Sequence, residues 1–213
     1  MNWKIIVKSP ENLLTERLYQ ECKEDLSREA EHRCIYCCIH ESRFGGIRNF
    51  HVEHYKPKSK YDKLKNTYSN LFYSCSICNC FKGNDWPNDP DDVYEKPFYP
   101  DPLIVNYSDY MMVDYETGFV EGLRKTTKYV VEKLYLNRPQ LVNERKFFGL
   151  MEKMRLNYQL LENIELRMSN ASQEERIRVM DLFIKATSAM REISQLQIKL
   201  QTVNPYTIVQ VRR

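Results

Sequence analysis

Two Cys-x-x-Cys pairs, Cys34-Ile-Tyr-Cys37 and Cys75-Ser-Ile-Cys78, constrain this chain more than any other feature. Each pair sets two sulfurs on one tight turn, and two such knuckles supply the four ligands of a closed tetrahedral zinc site. Residues 38–74 must then loop out as a subdomain wider than an ordinary zinc finger. A redox pair would need a βαβ pattern nearby, which is absent. Unrelated thiols are the remaining alternative. The N-terminus offers only Ile5, Ile6 and Val7 before Lys8, so no secretory signal is expected. The expected location is the cytoplasm, where seven cysteines point to metal or reactive thiols rather than to a disulfide framework. Cys22, Cys38 and Cys80 are left over.

Apolar residues at 42% and charged residues at 29% give an ordinary globular balance, which excludes a disordered chain. Residues 66–81 are uncharged but too short and too polar to span a bilayer, so no membrane partner is expected. No G-x-x-x-x-G-K-[ST] pattern occurs, which excludes a P-loop ATPase. The net charge of +3 matters less than its distribution. Residues 43–82 carry eight basic and two acidic side chains, an excess that a phosphate backbone would seek. Charge alone equally allows a solvated lysine-rich loop.

Three regions separate by pattern. In the first, Ser9-Pro10-Glu11 opens a helix, and Leu13, Leu14, Leu18 and Cys22 follow at helical spacing. The spacing predicts one amphipathic helix ending near the first cysteine pair. In the second, residues 47–54 read as a short strand after Gly45-Gly46, and Leu71-Phe72-Tyr73 as another. Residues 75–82 follow as a short helix capped by Gly83. A Pro- and Asp-rich linker, residues 86–102, opens the third region. It leads to a small β-element around residues 111–120 with Glu116-Thr117-Gly118 as its turn. Two long helices come last, one opened by Arg138-Pro139 and one by the capping box Ser172-Gln-Glu-Glu175, and they are expected to form a hairpin up to about Val203. The domains expected are 1–100, an N-terminal helix plus a zinc-stabilised core, and 101–213, the β-element and helical region.

His51-Val-Glu-His54 lies inside the looped-out segment, with Asn70 beside the second strand and Asn79 and Lys82 three apart on one helical face. Adjacent strand residues point to opposite faces, so Glu53 and His54 reach one centre only if the strand bends near Pro57. Glu53-His54, Asn70-Leu71 and Cys75-x-x-Cys78-Asn79-x-x-Lys82-Gly83, in this order around a zinc, resemble the HNH endonucleases. The resemblance implies an α+β, mainly α chain with a ββα-metal HNH core, and a phosphodiester hydrolase. It implies His54 as general base, Asn70 as brace of the loop bearing that base, and Glu53 and Asn79 as oxygen ligands of a catalytic Mg²⁺ or Mn²⁺. Cys34, Cys37, Cys75 and Cys78 would hold structural zinc. Lys56, Lys58, Lys60 and Lys82 would hold the nucleic-acid backbone, with DNA the default substrate and RNA or tRNA open.

Val52-Glu-His-Tyr-Lys-Pro-Lys-Ser-Lys60, Ser69-Asn-Leu-Phe-Tyr-Ser-Cys75 and Tyr135-Leu-Asn-Arg-Pro-Gln-Leu-Val142 are similar to the PtuB nuclease subunits of Septu anti-phage systems, a family also found with some retrons. That similarity implies an antiviral defence complex with a separate ABC-type ATPase subunit (PtuA-like), in some systems together with a retron reverse transcriptase and its msDNA. The alternative is a non-catalytic zinc-bound module that binds nucleic acid or a protein partner.

Overall fold

The computed structural model describes residues 3–14, 16–91 and 93–202. It is mainly helical with two small sheets, and it divides into two compact units. The first holds Met1–Asp114 and Phe119–Leu141, and the second holds Tyr115–Gly118 and Val142–Arg213. Among the described residues no helix is long and apolar enough to cross a membrane.

The centre of the first unit is an antiparallel pair, β1 (Phe50–His54) and β2 (Leu71–Cys75), in the register Phe50↔Cys75, Glu53↔Phe72, His54↔Leu71. β2 is buried along its whole length, which its run of Leu, Phe and Tyr dictates. Phe50 stacks on Tyr73 with ring centroids 4.6 Å apart, locking the register on one face. The first cysteine knuckle is a tight turn in which Cys38 N–H donates to the Cys34 carbonyl and Cys34 N–H to that of Ile39. Ile35 N–H donates to the Tyr73 carbonyl at 3.0 Å, which ties this knuckle to β2.

Two short helices precede the knuckle, α1 (Pro10–Leu13) and α2 (Lys23–Glu29). This corrects the single amphipathic helix expected there. Leu13, Leu14 and Leu18 are exposed, so no apolar stripe drives continuation. Side chains distant in sequence hold the backbone instead. Glu29 accepts from Ser9 N–H, and Asn66 accepts from Tyr19 N–H at 3.1 Å. α3 (Ser76–Lys82) follows β2 directly and stops at Gly83, whose φ of +50° suits a residue without a Cβ.

Residues 86–102, read from the sequence as a linker, lie within the first unit. Their aromatics explain it. Trp86 meets Tyr55 edge-on at 4.9 Å, and Tyr55 donates to the Tyr99 carbonyl at 2.7 Å. β3 (Met111–Val113) pairs with β4 (Val120–Gly122), and α4 (Lys125–Lys133) packs on β4. A Cβ on Gly122 would lie 2.3 Å from the Lys128 nitrogen, so only glycine admits this approach.

α5 (Pro139–Asn170) begins in the first unit and continues through the second, where α6 (Gln173–Thr202) runs antiparallel to it. Asn157 donates to the Ala186 carbonyl and Gln197 to the Met151 sulfur. Ser172 and Glu175 form the expected capping box, each bonding the other's N–H. The expected end at Val203 lies outside the described residues. Several apolar side chains of this pair are exposed, among them Met151, Ile177, Met180, Ile184 and Ile198.

Candidate functional site

The first element of the site is the sulfur cluster. Sγ atoms of Cys34, Cys37, Cys75 and Cys78 all lie within 4.8 Å of one another, and all four residues are buried. Among the described residues they are the only group of three or more His, Cys, Asp or Glu side chains placed to hold a metal. Cys37 and Cys75 sulfurs are 3.8 Å apart. Zinc–sulfur bonds of about 2.3 Å in a tetrahedron require an edge of about 3.8 Å, so the cluster fits zinc in size as well as in donor type. Cys22, Cys38 and Cys80 stand outside it.

Sequence reasoning did not assign Arg138 to this centre. Its guanidinium donates to Cys78 from both Nη atoms at 3.6 and 3.5 Å, and from Nη2 to Cys37 and Cys75 at 3.7 Å each. Burial works against its charge, and the Cys78, Cys37 and Cys75 sulfurs more than restore it. Arg138 sits between two other fixed residues: Asn137 clamps Val120 through both its amide atoms, and Pro139 opens α5. The Asn-Arg-Pro stretch was the only signal in the sequence, and its resemblance did not reveal what the arginine touches.

The second element lies at the end of β1. His54 is largely buried, and its Nε2 is 2.9 Å from the Lys65 carbonyl. A carbonyl only accepts, so Nε2 carries the proton and the lone pair is on Nδ1. Burial lowers the His54 pKa below 6.5. The Lys65 carbonyl bond opposes this, and the charges of Lys58, Lys82 and Lys65 add to it. The imidazole is therefore neutral at pH 7. Tyr19, which no sequence signal singled out, meets this ring edge-on at 4.8 Å.

Glu53 takes different partners from its neighbour, as adjacent strand residues do. It is 2% exposed, and its Oε1 meets Lys82 Nζ at 2.6 Å and accepts from Tyr36 at 3.4 Å. Burial pushes its pKa up to about 7, against the opposing pull of Lys82. Lys82 also donates to the His54 carbonyl at 2.9 Å. This corrects the expectation that Lys82 grips a phosphate backbone: the ammonium is sealed inside, because α3 directs it onto β1. Asn79, one turn earlier on α3, is partly exposed. Asn70 is buried; its Oδ1 accepts from Lys56 N–H at 2.8 Å, while Nδ2 donates to the carbonyls of Lys56 and Leu64. It thus pins both ends of the loop that follows His54.

The other lysines differ in reach. Lys58 and Lys60 are exposed, Lys58 donating to the Tyr19 hydroxyl at 3.1 Å and Lys60 to the Trp86 carbonyl at 3.3 Å. Lys56 is half-buried, 3.4 Å from Asp89 and set over the Tyr61 and Trp86 rings. Residues 34–85, which contain both elements of the site apart from Arg138 and Tyr19, match the family model of the HNH endonucleases. This supports a nuclease-type function for the segment. No curated protein and no solved structure matches the chain.

Proposed function

We propose that this chain is a metal-dependent endonuclease that hydrolyses phosphodiester bonds, DNA first among substrates, as the effector of an anti-phage complex with an ABC-type ATPase subunit. The observation that carries the catalytic reading is the 2.9 Å contact between His54 Nε2 and the Lys65 carbonyl. The His54 Nε2–H is committed to that carbonyl, so a basic Nδ1 is held in a segment that matches the HNH endonucleases.

The donor set fits a hard divalent ion. Both contacts of the Glu53 carboxylate fall on Oε1, which leaves Oε2 as an oxygen donor, and Asn79 on α3 would add an amide oxygen. Glu53 and Asn79 would hold Mg²⁺ or Mn²⁺, which when bound supplies positive charge to the phosphate and to the leaving 3′-oxygen. His54 Nδ1 takes the proton of the attacking water as the new oxygen–phosphorus bond forms. The 3′-oxygen leaves with its electron pair and is protonated by solvent, giving a 5′-phosphate. Asn70 keeps the loop after the base in place, and Lys58 and Lys60, with Lys56 behind them, hold the backbone without reading sequence.

The ATPase partner is supported by the apolar side chains open on α5 and α6 and by the lack of a P-loop in this chain. One observation favours the second reading, a zinc-bound module that binds without cutting: the Glu53 carboxylate already has Lys82 as a cation. His54→Ala decides between them. The expected result is loss of Mg²⁺-dependent cleavage of plasmid by roughly 10²–10⁴-fold, with zinc content and nucleic-acid binding kept. Cleavage that survives at parental rate, or a parent that binds and never cuts, refutes the catalytic reading.

A further inference from the structure

We propose that Tyr19 is a positioning residue for His54, the wall that fixes the tilt of the imidazole while the Lys65 carbonyl fixes its tautomer. The inference rests on the assignment of His54 as the base and adds to it a residue outside the segment that carries the HNH match.

The torsion that turns a histidine ring about Cβ–Cγ is broad and roughly two-fold. One hydrogen bond from Nε2 therefore sets which nitrogen is protonated but leaves the ring free to rock about that bond. A second contact, out of the ring's own plane, is needed to fix the direction of the Nδ1 lone pair. Tyr19 supplies it, at 4.8 Å between centroids and 69° between planes, the edge-on geometry that aromatic rings favour.

Tyr19 is itself anchored at both ends. Its backbone N–H donates to Asn66 Oδ1 at 3.1 Å, and its hydroxyl accepts from Lys58 Nζ at 3.1 Å. Asn66 follows Lys65, whose carbonyl holds His54. One corner of the loop between β1 and β2 thus holds the base through residue 65 and its wall through residue 66. Asn70 pins the same corner through the Leu64 carbonyl. The 3-10 turn Tyr19–Cys22 opens at this residue, where Asn66 takes the Tyr19 N–H and Glu21 takes the N–H of Leu18.

The wall consists of the ring, and the hydroxyl serves only to tether it. Tyr19→Ala should lower kcat by about 10–100-fold with KM changed by less than about three-fold, since a misdirected base costs rate without costing substrate binding. Tyr19→Phe should keep kcat within about three-fold of the parent. If Tyr19→Ala is insoluble or zinc-free, Tyr19→Leu at the same half-buried position is judged by the same criteria. The second readout does not depend on turnover. With four histidines in the chain, selective ¹⁵N/¹³C labelling resolves the His54 ring signals. In the parent they should report a single Nε2–H tautomer and one ring orientation. In Tyr19→Ala they should broaden or shift, and in Tyr19→Phe they should not. Unchanged His54 signals in Tyr19→Ala overturn the inference even if the parent never cuts, which is the outcome that would refute the nuclease reading itself. An unchanged kcat in Tyr19→Ala, or a Phe variant as slow as the Ala variant, overturns it too.

Discussion

Replacing Arg138 by Met keeps an unbranched but shorter stem and removes the charge beside the sulfur cluster that would hold zinc. Zinc with four thiolates carries a formal charge of about −2. Arg138 offsets about half of it, inside a site where the guanidinium is 5% exposed. Removing one partner of a buried ion pair costs about 3–5 kcal/mol. That sets the upper limit here, because the charge is spread over four sulfurs and the N–H···S contacts are long, 3.5 to 3.7 Å. Outer partners of metal ligands are worth about 10–100-fold in affinity, or about 1.4–2.8 kcal/mol. The lower range wins on these distances. In a zinc competition against a chromogenic chelator, Arg138→Met should therefore raise the zinc Kd by about 10–100-fold. The thermal midpoint should drop by about 3–10 °C for a chain of this size. Arg138→Lys should fall between, since one ammonium cannot fork across three sulfurs. Arg155→Met, at an exposed arginine paired only with Glu152, serves as control and should change neither quantity. Zinc affinity in Arg138→Met equal to the parent's would refute the idea that the guanidinium neutralises the cluster.

Two further outcomes follow from the same geometry. Cleavage at limiting Mg²⁺ should rise with pH through about 7, because a proton on Glu53 competes with the metal below that value while His54 is already neutral. The sign is that of a raised carboxyl pKa, so the same proton favours the metal-free fold as pH falls towards 4.5; a profile flat across neutrality removes Glu53 from the ligand set. Met180→Asp with Ile184→Asp, at residues 46% and 58% exposed, should leave the isolated chain folded and soluble but abolish co-purification with the proposed ATPase subunit. Intact complex formation in the double variant means α6 is not the docking surface.

Local pattern carried much of the fold. The strands at residues 50–54 and 71–75, the helix ended by Gly83, the β3–β4 turn and the Ser172–Glu175 capping box all rest on signals a few residues long. What local pattern misread was decided by partners far along the chain. The leucines after Pro10 have helical spacing, but nothing packs on them, and Glu29 and Asn66 direct the backbone elsewhere. Lys82 has the look of a surface lysine beside Asn79, yet its partner lies 29 residues upstream in β1, at Glu53. Arg138 stands 60 residues beyond Cys78, with no periodicity to connect them. The site shows the same division. Its ligand types and spacing can be read in sequence, while its counter-charges, Arg138 and Lys82, and the wall at Tyr19 are products of tertiary packing.

Those two counter-charges give the sulfur cluster and Glu53 different relations to the fold. Among the described residues Arg138 is the cation that donates to the sulfur cluster, and its single charge cannot balance four thiolates, so a zinc ion bound there would hold the knuckles together. Glu53 is different, because Lys82 matches its one charge at 2.6 Å and Tyr36 adds a hydrogen bond. An ionised carboxylate at 2% exposure would be very costly alone and is tolerable with that partner. The core around β1 and α3 is thus complete in charge without a divalent ion. On the proposed reading, Mg²⁺ or Mn²⁺ is taken up by a carboxylate already ionised in part by Lys82, and lost again without unfolding. The ammonium that makes this possible also repels the ion, so the site trades affinity for a fold that does not depend on its occupant. The pH limb through about 7 measures the result, since it reports how far Lys82 alone keeps Glu53 ionised.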